Sequence, residues 1–512
     1  MTYVVQMEPT PNSPVVSPRI AVVLTLSLII IVHALYKHIT HPLHHFPGPR
    51  SAAWSNLFYS RMFLKGRQPY DILALHEKYG PVVRVAPNEL SLSSAPSWQD
   101  IYGFRQGHRP FIKSRFYDGG SFADRAHSIV SERDPVAHGL MRKDLSHAFS
   151  DVSLKKQEPL IAASVDVLIR QLGVHGSDQE GLNIVKWFNL TTFDIIGDLA
   201  FGETFGGLES QKFHLWITLV TKSLRQGVLA DTMSRFPLLA GCIKYLMPKL
   251  LRNSMEDSQK HEAHTMAVVE RYVRTQGIPQ MDYSGDKNIS IVQLAAHSSD
   301  FVIAGSETTA TALSCITYYL LKTPHVLQKV QEEVRGAFEC YADINAQAAN
   351  NLTYLHAVCL EGMRMYAPLP FGLPRVVPKG GGTVDGYMIP AGTIVSTNPV
   401  AAGLSSSNFT DPYEFRPERW LENRHSDILE ASQPFSLGPR GCLGRNLAWI
   451  ELSTVLAKLH FTYDLEWINR NMDWHRDSRM ATLWQKPDLI VRVHPAGPRD
   501  MRTVSDKSRL AN

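Results

Sequence analysis

The stretch PFSLGPRGCLG, residues 434–444, restricts this 512-residue chain more than any other. Three glycines and two prolines surround one cysteine, Cys442, and the next residues, RNLAWIELSTVLAKL, have helical spacing. Glycines at 438, 441 and 444 allow backbone conformations closed to other residues and close approach of a flat ligand. Backbone N–H groups of such a loop can point at the sulfur, as nests of amides do for anions. A helix starting near Asn446 brings its positive end to the same place, and Arg440 adds a cation two residues away. Most free cysteines are small buried hydrophobes. The company of Cys442 instead predicts a sulfur kept ionised and coordinated.

The other cysteines, Cys242, Cys315, Cys340 and Cys359, form no CxxC pair. An odd, sparse set fits neither a disulfide framework nor a zinc site and points to a reducing compartment. In a cytosolic domain the sequons at Asn189, Asn288, Asn351 and Asn408 carry no meaning. A net charge of +4 without a basic stripe excludes a dedicated nucleic-acid binder. With 44% hydrophobic residues the chain can bury a large core, and no linker or repeat divides it after residue 50. The expected organisation is one catalytic domain, 51–500, with a polar tail at 501–512.

Ahead of that domain, IAVVLTLSLIIIVHALY at 20–36 has no charge. Its length is at the lower edge of a bilayer span, and no A-x-A cleavage site follows it. It reads as a transmembrane anchor behind a short lumenal segment, 1–19. Lys37, Arg50, Arg61 and Lys65 follow it, against Glu8 and Arg19 before, which places the domain on the cytoplasmic face. Residues 37–50 end in FPGPR and read as a stiff, proline-fixed hinge.

Helical periodicity dominates the rest. PLIAASVDVLIRQLGVHG (159–176) and IVKWFNLTTFDIIGDLAFG (184–202) are each closed by glycine. A long helix is predicted over 290–322, a new one from Thr323-Pro324, and another over 351–368, halted by prolines. Short strands are predicted within 80–94, 383–397 and 488–495. The fold class is mainly α with small β-sheets.

FSLGPRGCLG resembles the F-x-x-G-x-R-x-C-x-G pattern of the cytochrome P-450 family, the haem-thiolate monooxygenases, at Phe435, Gly438, Arg440, Cys442 and Gly444. EGMR (361–364), FRPERW (415–420), AGSETT (304–309) and HGLMR (138–142) are similar to further motifs of that family, in its order. The 193–209 segment and the HPLHHFPGP hinge look like membrane-anchored fungal members, many of which serve secondary metabolism. The resemblance implies the cytochrome P-450 fold and a haem b iron ligated by Cys442. Phe435 and Gly438 would shape the loop against the porphyrin, and Gly444 would let the next helix pack closely. Arg440, His138, Arg142 and Arg375 would hold the haem propionates. Glu361 and Arg364 would join Arg419 in a buried network behind the pocket. Gly305 and the polar residues after it would interrupt the long helix. There Thr308 would hold a distal water, and Glu307 would help deliver protons for cleavage of O2, the co-substrate.

The chain carries no flavin or nicotinamide fingerprint, so NADPH would act indirectly, through an NADPH-cytochrome reductase, with cytochrome b5 as a further donor. The substrate would be a lipophilic small molecule, a terpenoid, polyketide or prenylated aromatic. It would meet residues 111–122, the helix before Gly305, 367–374 and 479–484, with Phe371, Leu373, Met480 and Leu483 prominent. The site would be the endoplasmic reticulum membrane. Two alternatives stay open on the same fold: a reductase-independent hydroperoxide isomerase or dehydratase, and a non-catalytic haem-binding protein.

Overall fold

The computed structural model of the chain describes residues 40–497 apart from 121, 123–125, 247, 276–289 and 422–425, with scattered positions between 17 and 39. Most of 1–19, much of 20–36 and all of 501–512 lie outside the described residues. No helix among the described residues is long and apolar enough to cross a membrane.

Helices make up most of the molecule. In chain order, short ones aside, they begin with α1 (Arg50–Trp54), α2 (Leu57–Leu64) and α3 (Gln68–Tyr79). Strands β1 (Val82–Ala86) and β2 (Glu89–Leu92) lead to α4 (Ala95–Tyr102) and β3 (Ile112–Lys113). Then come α5 (Pro135–Ser146), α6 (Asp151–His175), β4 (Leu182–Asn183), α7 (Ile184–Phe201), α8 (Leu215–Arg235), α9 (Pro237–Leu246) and α10 (Pro248–Thr275). The second half holds α11 (Ile291–Lys322), α12 (Pro324–Ala337) and α13 (Thr353–Met365). Strands β5 (Arg375–Val376), β6 (Gly382–Val384), β7 (Tyr387–Ile389) and β8 (Ile394–Thr397) precede α14 (Arg445–Thr462). The chain closes with β9 (Tyr463–Trp467), β10 (Arg479–Ala481), β11 (Leu483–Gln485) and β12 (Ile490–Pro495).

The largest sheet has the order β1-β2-β8-β5-β3, with β2 and β8 parallel and the other pairs antiparallel. β4-β12-β9 form a second sheet, and β6-β7 and β10-β11 are hairpins. Mainly helical architecture with small sheets is what the periodicity predicts.

The central helix α11 forms because Ser290 caps it, its side chain accepting from the Gln293 N–H, and because apolar residues line most of its faces. Val302, Leu313, Ile316 and Leu320 are fully buried. α11 is not interrupted at Gly305. Its hydroxyls bond back one turn, Ser306 to Val302 O and Thr308 to Ala304 O at 2.5 Å each, so they are satisfied within the helix, which runs on unbroken. Gly305 serves close packing: a Cβ there would stand 3.1 Å from Ile196 Cδ1 on α7.

Two other expectations change. α6 begins eight residues before Pro159, because Ser150 supplies a cap and Leu154 is buried. The 37–50 hinge is docked at its C-terminal end: Leu43 and Phe46 are buried, Pro47 O accepts from Arg84 N–H at 2.7 Å, and α1 starts at Arg50.

Candidate functional site

The cysteine loop is held from both sides. Cys442 N–H donates to Phe435 O at 2.8 Å, closing the loop on itself. Phe435 packs on Trp449 of α14 and under the Arg445 guanidinium. Gly438 has φ +67°, and a Cβ on it would lie 2.1 Å from Tyr102 O. Its glycine is therefore required by the end of α4, not by a ligand face. Gly444 meets nothing closer than Phe149 at 4.0 Å, so close packing of the following helix does not explain it.

The Cys442 residue is exposed, yet protein atoms crowd the sulfur enough that burial pushes the thiol above its ordinary value. Against burial work the Gly444 N–H and the cations Arg445 and Arg142. These three oppose the effect of burial without overcoming it, and α14 starts at Arg445. Arg440, the cation expected there, points elsewhere, donating to Glu132 O at 2.7 Å and Arg133 O at 2.8 Å. Arg142, on α5, replaces it by donating to Gly441 O at 2.7 Å.

Arg440, His138, Arg142 and Arg375 do converge. Burial first, then Arg440, Lys113, Arg142 and Arg375, push the His138 imidazole down to about 3. Burial and Arg375 lower Arg440 to about 10. Arg375, 3% exposed, donates to Tyr117 Oη at 3.2 Å. Sequence reasoning missed the fifth member. Lys113, 5% exposed, donates to Ile129 O and Val130 O, and burial with Arg440 and Arg375 pushes it down to about 6. A lysine inside the apolar stretch PFIKS was the available signal. Among the described residues none of the five forms an ion pair.

Buried cations that repel one another are costly unless an anion joins them. A group with two carboxylates and a flat apolar face fits this arrangement beside an exposed cysteine sulfur, and haem is such a group. The residues present fit it: Cys442 for the iron, and Lys113, His138, Arg142, Arg375 and Arg440 for the propionates.

On α11, Thr308 and Glu307 stand where the sequence places them, one turn after Ala304. Thr308 is half-buried, its hydroxyl occupied by Ala304 O. Glu307 is half-buried and paired at 2.8 Å with Lys486 Nζ, a lysine 4% exposed that also donates to Thr311 Oγ1 at 3.0 Å. Lys486 follows β11 and belongs to no motif, so only the tertiary structure reveals it. Behind the loop, Glu361 is fully buried. Burial pushes its carboxyl up, but Arg364 and Arg419 hold it below the usual carboxylate range. It accepts from Arg364 twice at 2.8 Å, Arg419 Nε at 3.0 Å, Arg416 N–H at 3.0 Å and Trp420 Nε1 at 2.9 Å. The expected network is present. Of the expected substrate lining, Phe371, Met480 and Leu483 are buried.

A glycine-rich cysteine loop, a cluster of basic groups and a long helix carrying an acid and a hydroxyl together define a haem-thiolate protein. The chain belongs to the cytochrome P450 family, whose model, Cytochrome P450, matches residues 47–493. It is 54% identical to Cytochrome P450 monooxygenase ORF11 of Penicillium roqueforti over 90% of this chain and 98% of that protein. It is 38% identical to Cytochrome P450 monooxygenase BipB of Cochliobolus sativus, covering 90% and 94%. A crystal structure of the cytochrome P450DA heme domain superposes with a TM-score of 0.73 at 18% identity, over 88% of this chain and 98% of that one. That likeness shows the cytochrome P-450 fold. The protein is a monooxygenase, an oxidoreductase.

Proposed function

We propose that this monooxygenase oxidises a lipophilic small molecule, a terpenoid, polyketide or prenylated aromatic, in fungal secondary metabolism. It uses O2 and two electrons relayed from NADPH by a separate reductase, with cytochrome b5 as a further donor. The observation that carries the haem reading is the meeting of Cys442 with five basic groups that form no ion pair among the described residues.

Bound haem supplies the centre where O2 is activated, and its thiolate ligand favours O–O cleavage. Arg142, through Gly441 O, ties α5 to the loop and sets a positive charge near the sulfur. Lys113, Arg375 and Arg440 would hold the propionates of bound haem through charge-assisted hydrogen bonds. Glu307 takes a proton from the protein side and passes it toward Thr308, whose hydroxyl leaves Ala304 O to hold a water. Lys486 keeps the Glu307 carboxylate on the α11 surface until that transfer.

Anchoring in the endoplasmic reticulum membrane, with the domain in the cytosol, rests on the uncharged run at 20–36 and on exposed apolar side chains. Leu238, Tyr245 and Leu246 on α9 are more than 70% exposed, and Trp54 and Leu57 on α1 and α2 are also open. Asn56 Nδ2 donates to Arg235 O at 3.4 Å, which brings the α1–α2 junction beside the end of α8. Both apolar groups can then face one membrane surface. Fractionation of microsomes with alkaline carbonate tests this. Release of the full chain into the supernatant would refute it.

The chemical test is the dithionite-reduced carbon monoxide spectrum, beside a Cys442→Ser variant, followed by turnover with NADPH and a reductase. A far-red-shifted Soret band in the parent alone is expected, and product formation that needs NADPH. An imidazole-type band in folded protein would end the thiolate reading. Turnover of a hydroperoxide without NADPH would replace the monooxygenase reading with an isomerase.

A further inference from the structure

One acid stands out of place on α11. Asp300 comes one turn before Ala304 and two turns before Thr308, on the same face of the helix. Other faces of α11 are closed, with Val302, Leu313 and Ile316 fully buried. Ala304 is nonetheless exposed, and Asp300 and Thr308 are partly open. That face therefore looks into interior space, beside the cations Lys113, Arg375 and Arg440. It is the space in which haem and substrate would meet.

Asp300 Oδ2 is shut away from solvent and accepts no hydrogen bond among the described residues. Burial pushes the carboxyl up to about 6, offset in part by the Ser128 hydroxyl, the Lys113 ammonium and the Val130 N–H. Lys113 forms no ion pair with it, because its ammonium is spent on Ile129 O at 2.9 Å and Val130 O at 2.6 Å. An acid with an unpartnered oxygen is costly here, where leucine would cost nothing. Bracing the 128–131 turn does not account for it. That turn closes on itself, Ser128 N–H donating to Ser131 Oγ at 2.9 Å and Ser131 N–H to Ser128 Oγ at 3.2 Å. His297 already ties it to α11, accepting from Ile129 N–H at 3.2 Å.

We propose that Asp300 is the polar anchor of the substrate and accepts a hydrogen bond from a hydroxyl that the lipophilic skeleton already carries. The inference rests on the monooxygenase reading above and names the substrate class within it. The carboxyl turns about χ2 in a broad, two-fold well, so its free lone pairs reach the open side at small cost. An ionised carboxyl only accepts, so its ligand must donate. A neutral hydroxyl suits it better than an ammonium. Lys113 faces the carboxyl, Arg375 and Arg440 stand close to Lys113, and a further cation would be repelled by all three. From Asp300 to Thr308 the helix rises ~12 Å, on the scale of a fused three-ring skeleton. Oxidation then falls on the end of the molecule remote from the hydroxyl. A step that installs an alcohol, a hydroxylation or the capture of water, must precede this enzyme.

The test titrates full-length haem-loaded protein with four probes and reads the shift of the Soret band. The probes are perhydrophenanthrene, its 2-alcohol, the methyl ether of that alcohol and the matching 2-trimethylammonium ion. The carbon monoxide spectrum verifies each protein beforehand. In the parent the alcohol should bind about 10-fold or more tightly than the hydrocarbon or the ether, the worth of a hydrogen bond to a charged group. In Asp300→Leu the alcohol and the hydrocarbon should bind alike. In Asp300→Asn the ether should rise to match the alcohol, because the Val130 N–H keeps the amide oxygen and leaves the amide NH2 to donate. A brace for the fold alone would lower the melting temperature and weaken every probe together, leaving the order of ether and alcohol unchanged. That result would overturn the proposal, as would equal binding of alcohol and hydrocarbon in the parent. Tightest binding of the ammonium ion would overturn it too, and make Asp300 a cation site. A parent that never shows the thiolate band takes down the haem reading first, and the proposal with it.

Discussion

At Gly438 a side chain has nowhere to go, because Tyr102 O occupies the Cβ direction at 2.1 Å and φ is +67°. Gly438→Ala should therefore cost about 3 kcal/mol or more in stability, through left-handed strain plus a backbone clash. Gly444→Ala, whose added Cβ would meet only the Phe149 ring, at an ordinary contact distance of 4.0 Å, should leave the melting temperature close to the parent's. Thermal unfolding of both variants, read beside haem content, checks the contrast: equal melting temperatures would refute it. The glycines were legible as a set in the sequence, but the reason for each was not. A carbonyl more than 300 residues away decides one of them. Arg440 teaches the same point, since its carbonyl partners at 132 and 133 lie equally far along the chain and turn it from the sulfur. Lys486 was illegible for a related reason: an isolated lysine near the C-terminus gains a role only through the packing of β11 on α11. Lys486→Met should leave the Glu307 carboxylate without its cation, raise the share of NADPH lost to water or peroxide, and leave Lys486→Arg near the parent. A purely structural role would lower the melting temperature without moving the ratio of product to NADPH.

Elements were the most readable scale, and α11 shows why. Its cap at Ser290, its apolar faces and the Thr323-Pro324 break are local signals, so its limits follow from the sequence within one residue. α6 was misjudged at its start because Pro159 is a local stop signal, which the burial of Leu154, Ile161 and Val165 overrides. The docking of α13 onto the 415–420 segment was legible only as motifs. The structure turns it into one carboxylate, Glu361, that serves two arginines, an indole and a backbone N–H. Removing one partner of a buried pair costs more than the pair contributes, because the remaining charges stay in low dielectric. Glu361→Gln keeps the volume but leaves Arg364 and Arg419 underpaired, so a loss of ~3–5 kcal/mol is expected. Haem content in the expressed protein should fall with it. Full haem occupancy and an unchanged unfolding midpoint in urea would refute the network's structural role.

For the whole molecule, burial of histidine sets the response to acid. Burial pushes His76, His261, His297, His460 and His475 down to about 4, each chiefly because the charged form loses water. In the unfolded chain the same groups titrate near ~6.5. Between those values the unfolded state binds the more protons, so stability must rise with pH across that window. The contribution is fully present above about pH 6.5 and is lost progressively toward about pH 4. Five carboxyls act in the opposite sense: burial pushes Asp300 up to about 6, Glu451 higher still, and Asp71, Asp194 and Asp198 above their ordinary value. Burial also lowers His138, to about 3, and His214, His264 and His356, so nine histidines stand against five carboxyls and the melting temperature should fall as pH is lowered from 7.5 to 5. His460 isolates the effect, since both its ring nitrogens lack partners among the described residues and it is 1% exposed. Replacing it with phenylalanine removes no hydrogen bond of the ring. His460→Phe should match or exceed the parent at pH 7.5. It should also flatten the slope of unfolding free energy by up to one proton, about 1.4 kcal/mol per pH unit near pH 5. Urea unfolding at pH 5, 6 and 7.5 reads that slope directly. Parallel curves for the two proteins would mean that His460 is already protonated in the fold, and that its burial does not govern acid lability.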